Sequence, residues 1–320
     1  MPTTRPLRIL TWHVHGNYLW NLTQVPHEFH LVTDAARSTH HAGRTGTLPW
    51  GDNVHEAPVE RIREMEFDVV LYQSRDAWER ERHELLSEAQ QRLPRIYLEH
   101  DPPQQHPTNT VHWVDDPETL LVHVTPFNAL MWDAGRTPTA VVEHGVRPLA
   151  QARYSGSRLA GLVVVNNLGR RGRRLGLGVY PGVASLGPLS LVGMGAERLA
   201  EIGGVGEVPN HELPGVMAEH RFFFNPIRYT SLGLSIIEAM MVGLPVVGLA
   251  TTELVTVIRD GENGFVDTRI ERLVEAMKRL LRDPAEARRL GAAGQRTAME
   301  RFNIERFVGD WLEVLRRVAG

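Results

Sequence analysis

The chain contains no cysteine and almost no lysine. Both absences exclude particular kinds of binding site and catalytic mechanism. Without cysteine, a disulfide framework, a thiolate nucleophile, an iron–sulfur cluster and a zinc site with cysteine ligands are excluded. Among the 35 basic residues the only lysine is Lys278, which lies in a charged helical stretch away from any glycine-rich loop. The sequence therefore argues against a P-loop lysine and against a Schiff-base lysine.

Long apolar runs and a strong net charge are also missing. No apolar run approaches the roughly 20 residues that a membrane span requires, and the start of the chain lacks the hydrophobic segment of a secretory signal. We therefore expect a cytoplasmic protein with at most a peripheral membrane contact. The 38 acidic residues give a formal net charge of −3, which argues against nucleic acid as a partner. No GxGxxG follows the first strand and no GxSxG is present, so dehydrogenase and hydrolase functions lose their best support.

The alternation of short β-branched runs with amphipathic stretches predicts parallel βαβ units. At roughly 150 residues per domain, the 320 residues correspond to about two domains. The pattern lapses between Arg147 and Ser157, so we place the boundary there and predict domains at residues 1–150 and 151–320. Both are expected to be α/β domains with a doubly wound sheet, facing one another across a cleft, with ligands at the carboxyl ends of the strands.

Eleven strands and several long helices are predicted from these runs. One predicted helix, Ala77–Gln91, crosses over in the first domain, and three helices close the second domain. The predicted strands are Arg8–Trp12, Phe29–Thr33, Val69–Gln73, Arg95–Glu99, Leu120–Val124, Ala140–Glu143, Leu162–Val165, Leu189–Gly193, Phe222–Asn225, Pro245–Leu249 and Gly264–Val266. The three closing helices are Arg269–Arg282, Pro284–Arg301 and Ile304–Val318.

The most informative segment is a loop that leads into a helix in the second half of the chain. The loop, residues 227–234, passes Gly233 and is predicted to enter a helix at Ser235. Backbone N–H groups and the positive end of the helix dipole would then converge on an anion such as a diphosphate. Glu238, three residues after Ser235, could accept hydrogen bonds from ribose hydroxyls. The alternative is a capping box from Ser235 to Glu238, which needs no ligand.

The run RYTSLGLSIIEAMMVGLPVV, followed by TELV and DGENGFV, resembles the nucleotide-sugar-binding segment of a known family. It is similar to the retaining family 4 glycosyltransferases (group 1 glycosyltransferases) of the GT-B fold, over about residues 160–305. The resemblance implies a GT-B fold of two Rossmann-like domains and a retaining glycosyltransferase of glycan biosynthesis. It implies a nucleotide-diphosphate sugar as donor, a sugar or lipid-linked molecule as acceptor, and no metal or other cofactor.

The resemblance also implies roles for single residues. Glu238 matches the glutamate that holds the ribose, and Gly233, Leu234 and Ser235 match the loop against the donor phosphates. The family has another glutamate eight residues earlier, on the face where the glycosidic bond forms, but this chain has Thr230. A catalytic position without a carboxylate changes either the donor preference or the chemistry. The alternative is therefore a catalytically impaired nucleotide-sugar-binding or regulatory protein, and a phosphorylase-like or epimerase-like enzyme on this fold is a third hypothesis.

Four arginines follow the strand Leu162–Val165 in the run LGRRGRRLG. Arginine pairs with phosphate oxygens through its planar fork, which suits the charge that grows on a leaving diphosphate. The family places an arginine and a lysine after this strand. We expect Arg170 and Arg174 to act in catalysis and Arg171 and Arg173 to bind the donor, although the spacing does not decide which two point inward. The alternative is a solvated surface turn.

Histidine is concentrated in the first domain, where 13 of the 15 histidines lie. In HVHGNYL, strand alternation puts His13 and His15 on one face, and with Asn17 they are predicted to lie on the acceptor side. Gly16 would allow close approach of the donor. A metal at His-x-His is rejected because the spacing supplies no third ligand.

His100 follows the strand Arg95–Glu99, at a place where the family often has a functional histidine. We expect it to hydrogen-bond the sugar, with a carboxylate tuning its charge state; a histidine that only caps the strand end is the alternative. In the run Glu143-His144-Gly145-Val146, Gly145 is predicted to be architectural because it allows a tight exit from the domain.

Overall fold

The computed structural model describes residues 5–39, 41–46, 48–149 and 152–320. These residues form two compact units. Unit 1 is the chain up to Gly145 together with Ile304–Gly320, and unit 2 is Val146–Asn303. The predicted boundary between residues 150 and 151 lies outside the described residues. No described helix combines the length and the apolar character that crossing a membrane requires.

Unit 1 is built on a seven-stranded, fully parallel sheet in the order β3-β2-β1-β4-β5-β6-β7. Its core consists of buried aliphatic and aromatic side chains such as Leu10, Trp12, Val70 and Tyr97. The strands are β1 Arg8–Thr11, β2 Glu28–Thr33, β3 Val54–Pro58, β4 Val69–Tyr72, β5 Arg95–Glu99, β6 Thr119–His123 and β7 Thr139–Val141. The helices are α1 Gly16–Leu22, α2 Arg82–Leu85, α3 Glu88–Gln91, α4 Pro126–Met131 and α12 Ile304–Ala319.

Unit 2 is built on a six-stranded parallel sheet in the order β10-β9-β8-β11-β12-β13. The strands are β8 Arg158–Val164, β9 Leu189–Val192, β10 Gly204–Gly206, β11 His220–Asn225, β12 Val246–Leu249 and β13 Gly264–Asp267. The helices are α5 Leu168–Arg171, α6 Tyr180–Ala184, α7 Leu213–Glu219, α8 Leu234–Val242, α9 Leu254–Val257, α10 Ile270–Arg282 and α11 Pro284–Arg301.

The sheet of unit 2 is covered on both faces. Along β11, Phe223 belongs to the apolar layer that includes α8, whereas Phe222 and Phe224 belong to the layer that includes α6 and α10. Neighbouring residues of a strand point to opposite faces, so the nearly continuous apolar sequence of β11 reflects burial on both sides. The predicted α/β class with two doubly wound sheets is confirmed.

Both sheets reverse their strand order at one internal position, between β1 and β4 in unit 1 and between β8 and β11 in unit 2. In a doubly wound sheet, the crevice outside the carboxyl ends of the two strands at such a switch point is where ligands bind. The segments that follow β8 and β11 are therefore the first place to look for a site in unit 2.

The sequence analysis missed the edge strands β3 and β10. The strand β3, VHEAP, is short, has a polar residue on each face and ends in proline, and β10 is only GVG. Edge strands pair on one side only, so their sequences need neither the long apolar run nor the clean alternation by which the central strands were found.

The predicted helix Ala77–Gln91 is wrong as a single element. A π-helical turn, Ala77–Glu81, leads into α2, and the chain becomes extended at Leu86 (φ −95°, ψ 144°). Ser87 then starts α3 with a reciprocal capping box, in which its hydroxyl accepts from the Gln90 N–H and the Gln90 side chain accepts from the Ser87 N–H. The S-x-x-Q signature of this cap was present in the sequence.

The last helix, α12, packs in unit 1, whereas the sequence analysis had placed it in the second domain. Its side chains Phe307 and Trp311 are fully buried. Trp311 Nε1 donates to the Tyr18 hydroxyl at 3.2 Å, and the Phe307 ring lies edge-on to Tyr18 with centroids 5.6 Å apart. The apolar residues along α12 show that one face of the helix is buried, but they do not show against which sheet it packs. The assignment to the second domain followed only from the position of α12 in the sequence.

Candidate functional site

The candidate site of unit 2 begins where β8 and β9 end. Asn166 Oδ1 accepts a hydrogen bond from the Met194 N–H at 3.0 Å, and the Asn167 N–H donates to the Met194 carbonyl at 2.6 Å. Gly193 has φ +136°, and a Cβ there would lie 2.7 Å from the Val165 carbonyl oxygen. Only glycine fits this approach, so the ends of the two strands are held together by close backbone packing and by the two hydrogen bonds.

The arginine turn, defined here as residues 168–175, is tied to the loop that follows β11. The carbonyl of Arg174 accepts the N–H groups of Arg228 at 2.9 Å and of Tyr229 at 3.3 Å. Gly176 has φ +108°, and a Cβ there would lie 2.5 Å from the Pro226 carbonyl oxygen. The structure therefore brings together the two segments that the sequence analysis had chosen separately.

The helix α8 begins without a side-chain cap. Its N-cap is Gly233 with φ −70° and ψ 137°, and Ser235 is already the second helical residue. The predicted capping box from Ser235 to Glu238 is therefore wrong, because Ser235 lies two positions after the N-cap. Removing this alternative leaves the start of α8 without the internal acceptor that would make a ligand unnecessary.

Three backbone N–H groups remain open at this helix start. The Ile236 N–H donates to the Gly233 carbonyl at 3.1 Å, but the N–H groups of Gly233, Leu234 and Ser235 donate to no other described residue. These groups and the helix dipole attract an anion. Glu238 is the fifth residue of α8 and thus lies beyond the first turn of the helix, and its side chain and that of Thr230 are half-buried.

The four predicted arginines differ in exposure. Arg170 and Arg173 are exposed, whereas Arg171 and Arg174 are half-buried. Arg174 Nη1 is buried and makes no hydrogen bond with another described residue. A guanidinium nitrogen in this state has lost water without gaining an acceptor, so Arg174 gains most from a bound anion. The assignments of all four side chains stay predictions.

Arg228 is a basic residue of the site that the sequence analysis missed. Its Nη1 donates to the Arg173 carbonyl at 2.9 Å. Since Arg228 lies two residues before Thr230 in the loop, its presence in RYTSLG was visible in the sequence. Its position beside the arginine turn depends on the contact between Gly176 and Pro226. No local sequence pattern predicts this contact.

In unit 1, His100 is held by an amide at the carboxyl end of β5. His100 Nε2 lies 3.0 Å from Gln73 Oε1, and Gln73 Nε2 donates to Thr11 Oγ1 and to the Trp12 carbonyl, both at 2.9 Å. This network assigns the proton of the neutral ring to Nε2 and leaves Nδ1 as an acceptor. The group that orients the ring is thus Gln73, where the sequence analysis had expected a carboxylate.

Burial lowers the pKa of His100 well below its ordinary value, and the neighbouring His15 and His144 lower it further. The ring is therefore neutral near pH 7. It lies edge-on to His15 at 4.3 Å and to Tyr18 at 4.8 Å between centroids. A neutral imidazole in this setting accepts a hydrogen bond, for example from a sugar hydroxyl, and carries no charge to a substrate.

His13 and His15 do not share a strand face, because β1 ends at Thr11. His13 Nδ1 bonds to the Gly43 carbonyl at 2.7 Å and its ring lies edge-on to Trp50, whereas His15 is the N-cap of α1 and contacts His100. Gly16 and Asn17 are the first two residues of α1. A Cβ on Gly16 would lie 3.1 Å from His13 Nε2, so Gly16 is packed against that ring.

No described group of three or more histidine, aspartate or glutamate side chains is arranged to hold a metal ion. The expectation of a reaction without a metal cofactor stays a prediction.

Buried neutral histidines make unit 1 sensitive to acid. Burial lowers the pKa of His123 to about 4, with a further contribution from His112, and the ring nitrogens of His123 make no hydrogen bond with other described residues. Between pH 6.5 and 4, position 123 therefore binds more protons in the unfolded chain than in the folded one, so the contribution of His123 to stability falls as the pH falls. For His123 this amounts to about 3 kcal/mol.

We expect His123→Leu to unfold at nearly the same temperature as the wild type at pH 7 and at a clearly higher temperature at pH 4. Thermal unfolding measured from pH 7 to 4 checks this, with His106→Leu, on an exposed side chain of unit 1, as the matched control. Equal acid sensitivity of the wild type and His123→Leu would contradict the assignment.

Comparison with known proteins agrees with the segment singled out above. Residues 188–283 match the model of a family described as "Glycosyl transferases group 1". The alpha-maltose-1-phosphate synthase of Mycolicibacterium smegmatis is 30% identical over 120 residues, which is 35% of this chain and 31% of that protein. The sucrose synthase of Thermosynechococcus vestitus is 36% identical over 90 residues, or 26% of this chain and 11% of that protein. The chain thus spans less than a third of the curated relatives that it matches.

Solved structures match along nearly the whole chain. Sucrose-phosphate synthase from Thermosynechococcus elongatus aligns with a TM-score of 0.69 at 17% identity, covering 98% of this chain and 99% of that one. Anabaena HepE in complex with UDP-glucose aligns with a TM-score of 0.68 at 15% identity, covering 97% and 100%. These likenesses confirm the GT-B fold, and the family match confirms the predicted resemblance to group 1 glycosyltransferases.

Proposed function

We propose that the chain is a retaining glycosyltransferase that moves a sugar from a nucleotide-diphosphate sugar to a sugar or lipid-linked acceptor. The observation that carries the proposal is the uncapped start of α8, held beside the arginine turn by the bonds from Arg228 and Tyr229 to Arg174. Open N–H groups and guanidinium groups at the switch point of a doubly wound sheet are suited to a diphosphate. A cytoplasmic location and a metal-free reaction are part of the proposal.

Each part of the donor has a candidate partner. The N–H groups of Gly233, Leu234 and Ser235 would bind the diphosphate, together with Arg174, whose Nη1 is buried without an acceptor among the described residues. Glu238, one turn further along α8, would accept hydrogen bonds from the ribose hydroxyls. Two hydrogen bonds to one carboxylate are strong because the acceptor is charged.

The proposed chemistry requires positioning and charge stabilisation more than a nucleophile. The bond between the anomeric carbon and the diphosphate oxygen breaks, the acceptor oxygen bonds to the same face of that carbon, and the acceptor proton passes to the leaving phosphate. Arg170 and Arg174 would stabilise the growing negative charge. Because the leaving group takes the proton, a carboxylate nucleophile at position 230 is not required for this route.

We assign the acceptor to unit 1. His100, neutral and with Nδ1 available as an acceptor, would bind a hydroxyl group of the sugar. His15 contacts the His100 ring, and Asn17 lies one turn or less away at the start of α1. His13 is bonded to Gly43, so we propose that it shapes this surface together with Gly16.

The first experiment is an assay of nucleoside diphosphate release with the full chain. UDP-glucose is the donor to try first, because the related fold of HepE was solved with it. Release that requires both donor and acceptor, with a product of retained anomeric configuration, supports the proposal. Release without an acceptor would favour a hydrolase-like or phosphorylase-like activity, and inversion at the anomeric carbon would contradict the retaining mechanism.

Thr230 favours one alternative, a nucleotide-sugar-binding protein that has lost transfer. Under the main proposal the wild type is active, and Thr230→Glu changes the ratio of kcat/KM between donor sugars by about tenfold, because a charged acceptor replaces a hydroxyl. Thr230→Val, which keeps the shape but removes the hydroxyl, is the matched control. If the wild type transfers sugar to none of the acceptors and Thr230→Glu gains transfer, the alternative would be established.

A further inference from the structure

We propose that unit 2 has a second anion site, beside Gly178, that binds a phosphate monoester through Arg173 and Arg228. Arg173 belongs to the arginine turn, and the residues that line the cavity of this site do not include the start of α8. The proposal thus gives Arg173 a partner other than the donor expected from the sequence. It concerns a ligand group other than the donor diphosphate, and it does not require that the chain transfer sugars.

The site combines a cavity of about 470 Å³, which Arg228 lines, with Arg173, whose Nη1 lies beside Gly178 in the cavity wall. This volume is within the range of small-molecule pockets, roughly 300 to 1,000 Å³. Arg228 and two threonines supply polar groups to a lining that is otherwise mostly aliphatic and glycine. The residues that matter for the argument are Gly178, Arg228, Leu249, Thr251, Thr268 and Ile270.

Two guanidinium groups converge at Gly178. A Cβ built on this glycine would lie 3.2 Å from Arg173 Nη1 and 3.4 Å from Arg228 Nη2. The two nitrogens therefore approach the same point, and the missing side chain of Gly178 leaves that point open. Arg228 is held there because its Nη1 donates to the Arg173 carbonyl at 2.9 Å, and Arg228 also lines the cavity.

The two charges have no acidic partner. In the part of the chain that the structure describes, neither Arg173 nor Arg228 forms an ion pair with a carboxylate. The acid nearest in sequence to the cavity residues is Asp267, and its oxygens accept from the backbone and the guanidinium of Arg269 at 2.7 to 2.9 Å. Two like charges held together without a counter-ion repel, and a bound anion removes that cost.

The charge and shape of the pair favour phosphate over carboxylate. A phosphate monoester carries between about −1.5 and −2 at pH 7, which matches two guanidinium groups, whereas a carboxylate carries only −1. Phosphate also offers three oxygens, enough for two arginine forks. The aliphatic wall formed by Leu249 and Ile270 would then contact the organic part of the ligand.

Calorimetric titration of the full chain at constant ionic strength tests the site, with inorganic phosphate and glycerol 3-phosphate as probes. We expect Arg228→Gln and Arg173→Gln each to weaken binding about tenfold or more, because each loses a hydrogen bond from a charged donor. Arg158→Gln is the matched control, since Arg158 is an exposed arginine of unit 2 at the amino end of β8. It should bind both probes like the wild type.

Arg174→Gln separates this proposal from the proposed function. If the monoester site is real, Arg174→Gln loses nucleoside diphosphate binding but keeps phosphate binding, whereas Arg228→Gln loses phosphate binding. Phosphate binding that disappears in Arg174→Gln and persists in Arg228→Gln would place the anion at the start of α8 and overturn the proposal. Equal losses in Arg228→Gln and Arg158→Gln, or equal binding of acetate and phosphate, would overturn it as well.

Discussion

Glu238→Ala is expected to abolish the stabilisation of the chain by a nucleoside diphosphate. A ligand at 100 times its Kd stabilises the folded state by about 2.7 kcal/mol, which raises the Tm by several degrees. The carboxylate is the one charged acceptor that α8 offers one turn beyond the open N–H groups. Losing two hydrogen bonds to a charged group weakens binding by about a hundredfold. Thermal unfolding against a panel of nucleoside diphosphates, repeated with Glu238→Ala, measures both effects.

Glu300→Ala is the matched control for this prediction, because Glu300 is an exposed glutamate on α11 of the same unit. Alanine is a better helix former than glutamate, so neither substitution should weaken its helix. A nucleotide shift that survives in Glu238→Ala would show that Glu238 does not bind the ribose. The absence of a shift with any nucleotide in the wild type would remove the donor site from the proposal.

The sequence was sufficient to find the candidate donor site because that site is built from contiguous elements. The loop, Gly233 and the helix that carries Glu238 follow one another in the chain, and their hydrophobic periodicity and glycine placement are local signals. The same signals misled in one respect. Ser235 and Glu238 have the spacing of a capping box, but the N-cap is Gly233, so the helix starts two residues too early for Ser235 to cap it and its first N–H groups stay open.

Contacts between segments that are distant in the sequence could not be predicted from it. Gln73, which orients His100, is 27 residues away in the sequence. Arg228 lies beside the arginine turn because Gly176, which has no side chain, lets Pro226 pack against the turn. Neither contact has a periodic signature, since each depends on which strands become neighbours in the sheet. Strand order therefore explains why the analysis found the elements of the site but expected a carboxylate beside His100 and overlooked Arg228.

Gly145→Ala is expected to destabilise unit 1 strongly, although it adds only one methyl group. A Cβ at position 145 would overlap the Cβ of Phe307 and lie 2.5 Å from its Cγ. Phe307 is fully buried and packs on Tyr18, while Trp311 on the same helix is bonded to the Tyr18 hydroxyl. The helix α12 cannot yield without breaking these contacts. Overpacking a core costs about 1 to 3 kcal/mol, and we expect the upper end of that range, measured as a loss of several degrees in Tm.

Gly309→Ala on α12 provides the matched control, since nothing lies within 4 Å of an added Cβ there. In a helix interior that substitution should stabilise by about 0.5 to 1 kcal/mol, so the two glycine-to-alanine changes are expected to have opposite signs. Trimming the aromatic ring should not rescue the first variant, because the overlap is with the Cβ that alanine keeps. If Gly145→Ala were as stable as the wild type, α12 would have to be free to move away from unit 1, and the assignment of this helix to unit 1 would be wrong.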